Sequence, residues 1–127
     1  MLDNEKYTTE ELEFYIKKFI NYKDVDTLVF LCVILKKIKV LILIEKDIKN
    51  IQTTKTKDGR VWFVCYSSNK KINNEINNKY KLLKIDFYKF IKDVISDEKI
   101  EGIVINPTSD FPLYLNKKIL NKLDNIQ

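Results

Sequence analysis

Three short groups of residues carry the side chains best placed to do chemistry. Tyr66-Ser67-Ser68 sets three hydroxyls in a row at the end of an apolar segment, an arrangement that suits an anion-binding helix start. The blander alternative, that Ser67 or Ser68 caps the next helix, is the favoured one. Asn106-Pro107 ends a second apolar segment and lines the same cleft if the two strand ends are neighbours. Its competing role is turn geometry, with an Asn side chain bonding its own backbone ahead of a rigid Pro. Trp62 is either an exposed recognition anchor or, in a strand apolar on both sides, a core residue. Paired carboxylates are available as Asp97, Glu98 and Glu101, and as Glu10, Glu11 and Glu13. Acid–base work requires burial to separate their pKa values. These acids occupy charged turns and helix starts, where solvation is expected instead.

Much chemistry is set aside by what is missing. The 127 residues contain no His, the commonest general base and zinc ligand. Gly59 and Gly102 are the only glycines, so no phosphate-cradling loop exists. Cys32 and Cys65 show no metal spacing and fall in apolar segments, as buried free thiols of a reducing cytoplasm do. No metal, cofactor or catalytic set is expected, and the protein is expected not to be an enzyme. The net charge of +5 comes from Lys, with Arg60 the single Arg. Ala is absent while Ile, Lys and Asn abound, a skew that follows AT-rich codon usage and raises pI without selecting a basic surface. Nucleic-acid sites favour Arg, so a nucleic-acid partner is disfavoured. Aromatic and basic residues interleave over 80–92, but Phe87 and Phe90 belong to a helical stripe and are not free to stack.

The elements that position these groups follow from periodicity. Thr8-Thr9-Glu10-Glu11 has capping-box spacing, and Leu12, Tyr15, Ile16, Phe19 and Ile20 continue it as a helix over 9–22. Leu28–Leu35 and Val40–Ile44 are apolar without alternation and are predicted as two buried strands joined by Lys36, Lys37 and Lys39. Those lysines make a membrane span across 27–44 costly. The acidic start, without an apolar stretch, is not that of a secretory signal. Gln52–Lys55 is a polar edge, Asp58-Gly59 a hairpin turn, and Val61–Tyr66 another two-faced strand. A short helix or loop over 69–78 precedes a strand at 80–85. Asp86 then caps a helix over 87–96 with Phe87, Phe90, Ile91, Val94 and Ile95 on one stripe. Gly102–Ile105 is a strand, Leu113–Leu115 a shorter one, and Asn116 caps a last helix.

Read as a unit, the order Asp58-Gly59-Arg60, Tyr66-Ser67-Ser68, the helix from Asp86, Gly102-Ile103-Val104-Ile105-Asn106-Pro107 and the tail with Leu113 and Leu115 resembles the N-terminal domain of the SseB family. The likeness spans about residues 8–125. Tyr66 and Ser67 stand where that pattern usually has Phe and Thr, and Asn69-Lys70 replaces an acidic residue. The resemblance implies an α+β fold and, from the secretion and toxin neighbourhoods of similar domains, a protein-binding or immunity role. It carries over no catalytic residue.

Together these features predict one α+β domain over 1–127, a central mixed sheet of about five to six strands with three to four helices. The expected role is a cytoplasmic, non-enzymatic protein-interaction module without membrane contact. The candidate binding residues are Trp62, Tyr66, Ser67, Ser68, Asn106 and Pro107. The partner is a second copy, attracted by sheet surface the helices leave bare, or another protein. An immunity protein that neutralises a toxin is the first alternative, and a weak nucleic-acid binder the second.

Overall fold

The computed structural model describes residues 7–72 and 79–125. Its elements run α1 (Thr9–Tyr22), α2 (Val25–Leu35), β1 (Lys39–Glu45), β2 (Thr53–Lys55), β3 (Val61–Cys65), a 3-10 turn (Asn69–Lys71), β4 (Tyr80–Asp86), α3 (Phe87–Ser96), β5 (Gly102–Ile105), β6 (Leu113–Asn116) and α4 (Lys117–Asp124). The class is α+β, with four α-helices and six strands among the described residues. The six strands do not form one sheet. Four are ordered β2-β3-β5-β6, with β3 and β5 parallel and the outer pairings antiparallel, while β1 and β4 form a separate antiparallel ladder. Isolated bridges from Leu41 to Tyr66 and from Ile44 to Ile51 join that ladder to the larger sheet. Gln52 sits at the junction, its N–H donating to the Leu43 carbonyl at 2.8 Å and its carbonyl accepting from Val64 N at 3.0 Å.

Local chemistry sets most element ends as the sequence predicts. Thr8 and Glu11 close the capping box of α1, and Asn116 Oδ1 accepts from Ile119 N at the start of α4. β2 is the polar edge, and the Asp58-Gly59 turn pairs Lys55 with Val61 across the hairpin. Asp86 occupies the N-cap position of α3, but its side chain makes no capping bond and lies 3.6 Å from Lys89 instead. Of the helix or loop expected over 69–78, the described part begins as a 3-10 turn at Asn69–Lys71, and residues 73–78 lie outside the described ones.

The main correction concerns residues 28–35. They belong to α2, a helix, not to a buried strand. Asp24 Oδ1 accepts from Thr27 N at 2.8 Å and fixes the first turn. A helix apolar on every side has no amphipathic stripe to distinguish it from a buried strand. Cys32 is therefore on a helix, while Cys65 ends β3; both are buried and free.

All four helices contribute to one large core. Leu12 and Ile16, Leu31 and Leu35, Phe87 and Ile91, and Leu120 and Leu123 meet Val40, Ile42, Ile103, Ile105 and Leu115 there. The opposite sheet face carries a smaller cluster of Leu43, Trp62, Val64, Tyr66 and Val104, with Leu41, Ile72 and Tyr80 packed against it. The strands are thus two-faced, as their composition implies, but their second face is largely closed. Outside that cluster, bare apolar side chains lie on α2, where Val25, Val29 and Phe30 are exposed, and on the strands, where Leu82 and Leu83 of β4 and Tyr114 of β6 are exposed.

Candidate functional site

The parallel pairing of β3 with β5 brings the two strand ends together, because Cys65 stands opposite Ile105. The residues that follow, Ser67 and Asn106, consequently meet. Ser67 N donates to Asn106 Oδ1 at 3.0 Å, and Asn106 Nδ2 donates to Ser67 Oγ at 2.9 Å. Asn106 N donates to the Cys65 carbonyl at 2.9 Å, so the contact continues the ladder past the strand. Asn106 has φ +57°, a left-handed conformation that Asn tolerates better than most residues. The expected Asn–backbone turn bond is replaced by these bonds to Ser67. Pro107 occupies the second position of a turn closed by Ser109 N and the Asn106 carbonyl at 3.1 Å.

α1 supplies the fourth member. Glu13 Oε2 accepts from Ser67 Oγ at 2.5 Å and from Ser68 Oγ at 3.2 Å. Its position, one helical residue beyond buried Leu12, turns it partly toward the sheet. The sequence places Glu13 among solvated helix-start acids; here it is half-buried and anchors two hydroxyls. Nothing local signals this, since its partners are 54 and 55 residues away. Ser68 stands at the N-cap of the 3-10 turn without making a cap bond, and its hydroxyl goes to Glu13 instead.

This network separates two clefts. One, of about 380 Å³, is lined by Glu13, Phe14, Lys17, Asn106, Ser109 and Phe111, with the Lys17 ammonium 5.4 Å from the Phe111 ring centre. The other, of about 560 Å³, is lined by residues including Thr8, Thr9, Lys39, Ser67, Ser68 and Lys84. Chemically the node is closed. Ser67 Oγ already donates to a carboxylate and accepts from a carboxamide, and a carboxylate is too weak a base to hold a serine proton. Such a satisfied network fixes the geometry of the two strand ends and of α1 against them.

Tyr66 and Trp62 sit away from both clefts, in the smaller core. Tyr66 is buried, and its hydroxyl donates to Gln52 Oε1 at 2.9 Å. Burial pushes its phenol above the ordinary tyrosine range, partly opposed by that hydrogen bond. Trp62 is buried edge-to-face against Tyr114, with ring centres 5.0 Å apart, and its Nε1 donates to Thr56 Oγ1 at 3.3 Å. The structure thus brings Ser67, Ser68, Asn106 and Pro107 together, and assigns Trp62 and Tyr66 to packing.

A second candidate surface lies on the α1–α2 hairpin. Val25 is 71% and Val29 53% exposed on the outer side of α2, beside half-buried Val33 and exposed Phe30. Phe30 meets Tyr15 edge-to-face at 4.7 Å and Tyr7 at 6.2 Å, and Tyr15 in turn meets Phe14, itself 59% exposed. An aromatic row on α1 thus continues an aliphatic face on α2. A strand over 28–35 would not present this surface; Asp24 ahead of the eight-residue apolar run Leu28–Leu35 is the signal for the helix that does. Among the described residues no helix is long and apolar enough to cross a membrane. No protein-family profile, no curated protein and no solved structure matches this chain.

Proposed function

We propose that the chain is a non-enzymatic protein-binding module that docks through the outer face of α2 and the aromatic row of α1. The observation that carries this reading is the composition of α2. Its inner face fills the main core with Leu31, Ile34 and Leu35, yet Val25, Val29 and Phe30 outside are exposed. A helix apolar all round is normally buried on all sides, and a contiguous apolar patch on a small protein marks an interaction surface. Closure of the Glu13–Ser67–Asn106 network supports a binding role over catalysis at the strand ends.

A relationship to the SseB N-terminal domain forms part of this proposal. It is supported by the hairpin at Asp58-Gly59, the helix from Phe87 and the terminal helix falling in the expected order. Two pieces of that pattern that lie 39 residues apart, Ser67 and Asn106, are bonded to one another.

The test uses a substitution on a solvent-facing helical position. Val29→Glu leaves the core untouched and puts a charge in the centre of the face. Complexes isolated from native cells with the wild-type chain are expected to be lost with Val29→Glu and retained with Lys118→Glu on α4. Equal recovery with both variants would contradict the reading.

A further inference from the structure

We propose that the occupant of this face is a second copy of the chain, with the two α2 helices packed antiparallel about a two-fold axis between Phe30 and Val33. The inference rests on the docking-face reading above and names its partner. Asp26, Phe30 and Val33 follow i, i+4 and i+7 spacing and so lie along one side of α2, and Lys37 follows in the turn just past its end. Lys37 lies two residues past the end of α2 at Leu35, where its N–H donates to the Ile34 carbonyl at 2.9 Å in a turn that leaves it at the C-terminal end of the stripe. Asp26, Phe30 and Lys37 are exposed and Val33 is half-buried.

That stripe is self-complementary in one orientation only. Reversed end for end, it sets Asp26 against the partner's Lys37, and Phe30 against the partner's Val33. The charges are about 16 Å apart along the helix, at 1.5 Å per residue, and so fall at the two ends of the contact. Parallel packing would stack Asp26 on Asp26 and Lys37 on Lys37, a like-charge juxtaposition that disfavours it. Val25 and Val29 flank the stripe with branched apolar groups, and no charge lies between Asp26 and Lys36 to be desolvated at its centre. An isologous contact of this kind places every residue twice, so each charge substitution acts at two symmetric positions.

The experiment is sedimentation equilibrium on the full chain, from micromolar to several hundred micromolar. Wild type is expected to move from its 15.2 kDa mass toward twice that value. Asp26→Lys and Lys37→Asp each weaken self-association about tenfold or more, because each converts two attractive pairs into two repulsive ones. Mixing the two single variants restores association, since the mixed pair sets Lys against Asp at both ends. The double variant Asp26→Lys/Lys37→Asp restores it alone. Rescue by mixing cannot arise from misfolding.

A wild-type chain that stays at 15.2 kDa throughout overturns the second-copy assignment. If Val29→Glu still abolishes recovery of a different protein from cells, the docking face survives with another occupant. If the chain is monomeric and Val29→Glu changes nothing, both fail. A dimer indifferent to both charge variants and to Val29→Glu also overturns the proposal, because the contact then lies elsewhere.

Discussion

Asn106 and Ser67, 39 residues apart, hold each other at two points: the side-chain Oδ1 of Asn106 accepts from the Ser67 N–H at 3.0 Å and its Nδ2 donates to Ser67 Oγ at 2.9 Å. Both residues are buried, so the contact replaces water at the point where two parallel strands stop. It also accounts for an Asn at φ +57°. A residue that held this backbone without the carboxamide would leave the Ser67 N–H unpaired.

Asn106→Ala is therefore expected to cost about 2–4 kcal/mol, from an orphaned buried donor and a left-handed backbone that Ala resists. Asn106→Gly removes the backbone part and falls about 1 kcal/mol short of the Ala loss. Urea unfolding followed by the fluorescence of Trp62, the single tryptophan, measures both. Equal losses for the two variants would show that the backbone conformation contributes nothing.

Glu13 and Ser67 are expected to be energetically coupled. Glu13→Ala costs about 2 kcal/mol, because it removes the charged acceptor of two hydroxyls. A double-mutant cycle with Ser67→Ala gives a coupling of about 1 kcal/mol or more. A solvated Glu13 would give a coupling near zero. That outcome would return this acid to the role its sequence context suggests.

Gly102 and Gly59 should respond to alanine for different reasons. A Cβ at Gly102 would stand 2.1 Å from the Leu115 carbonyl oxygen and 2.8 Å from Asn116 Cα, both backbone atoms of β6. Gly102→Ala is expected to cost at least about 3 kcal/mol or to prevent folding. Gly59 has open space but φ +89°, so Gly59→Ala costs only about 1 kcal/mol. Thermal unfolding of the two variants ranks them directly, and the reverse order would contradict the close approach of β5 to β6.

Stability should fall at alkaline pH. Burial drives the Cys65 thiol far above the ordinary cysteine range, and Cys32 and Tyr66 shift in the same direction through burial. The folded chain keeps these protons when the unfolded chain has begun to lose them. The unfolded state then binds fewer protons, and unfolding free energy decreases as pH rises. The contribution is intact below about pH 8.5 and is lost above it. Urea midpoints at pH 7.5 and pH 10 test this, and Cys65→Val should flatten the alkaline loss. An unchanged slope in that variant would remove Cys65 as a cause.

Much of this architecture is legible in the residues. The stripes Leu12-Ile16 and Phe87-Phe90-Ile91-Val94 give α1 and α3, and Asp58-Gly59 gives the hairpin, because each signal is local. α2 is not legible in the same way. Its apolar residues surround the helix, leaving no period to separate it from a buried strand, and only the Asp24 cap favours a helix. Of the strand-end node, Ser67 and Asn106 stand out as separate motifs, whereas their contact depends on the parallel register of β3 and β5. Glu13 becomes visible only when α1 is docked. The strands keep part of the expected bare surface at Leu82, Leu83 and Tyr114, and α2, as a helix, adds Val25, Val29 and Phe30 to it.

The most direct test of α2 as the docking face is amide hydrogen exchange in the dilute chain and in its associated state. Slower exchange confined to residues 25–35 and the neighbouring turns of α1, with β6 unchanged, is the expected result. Protection that appears on β4 or β6 while α2 exchanges at its dilute rate would contradict it.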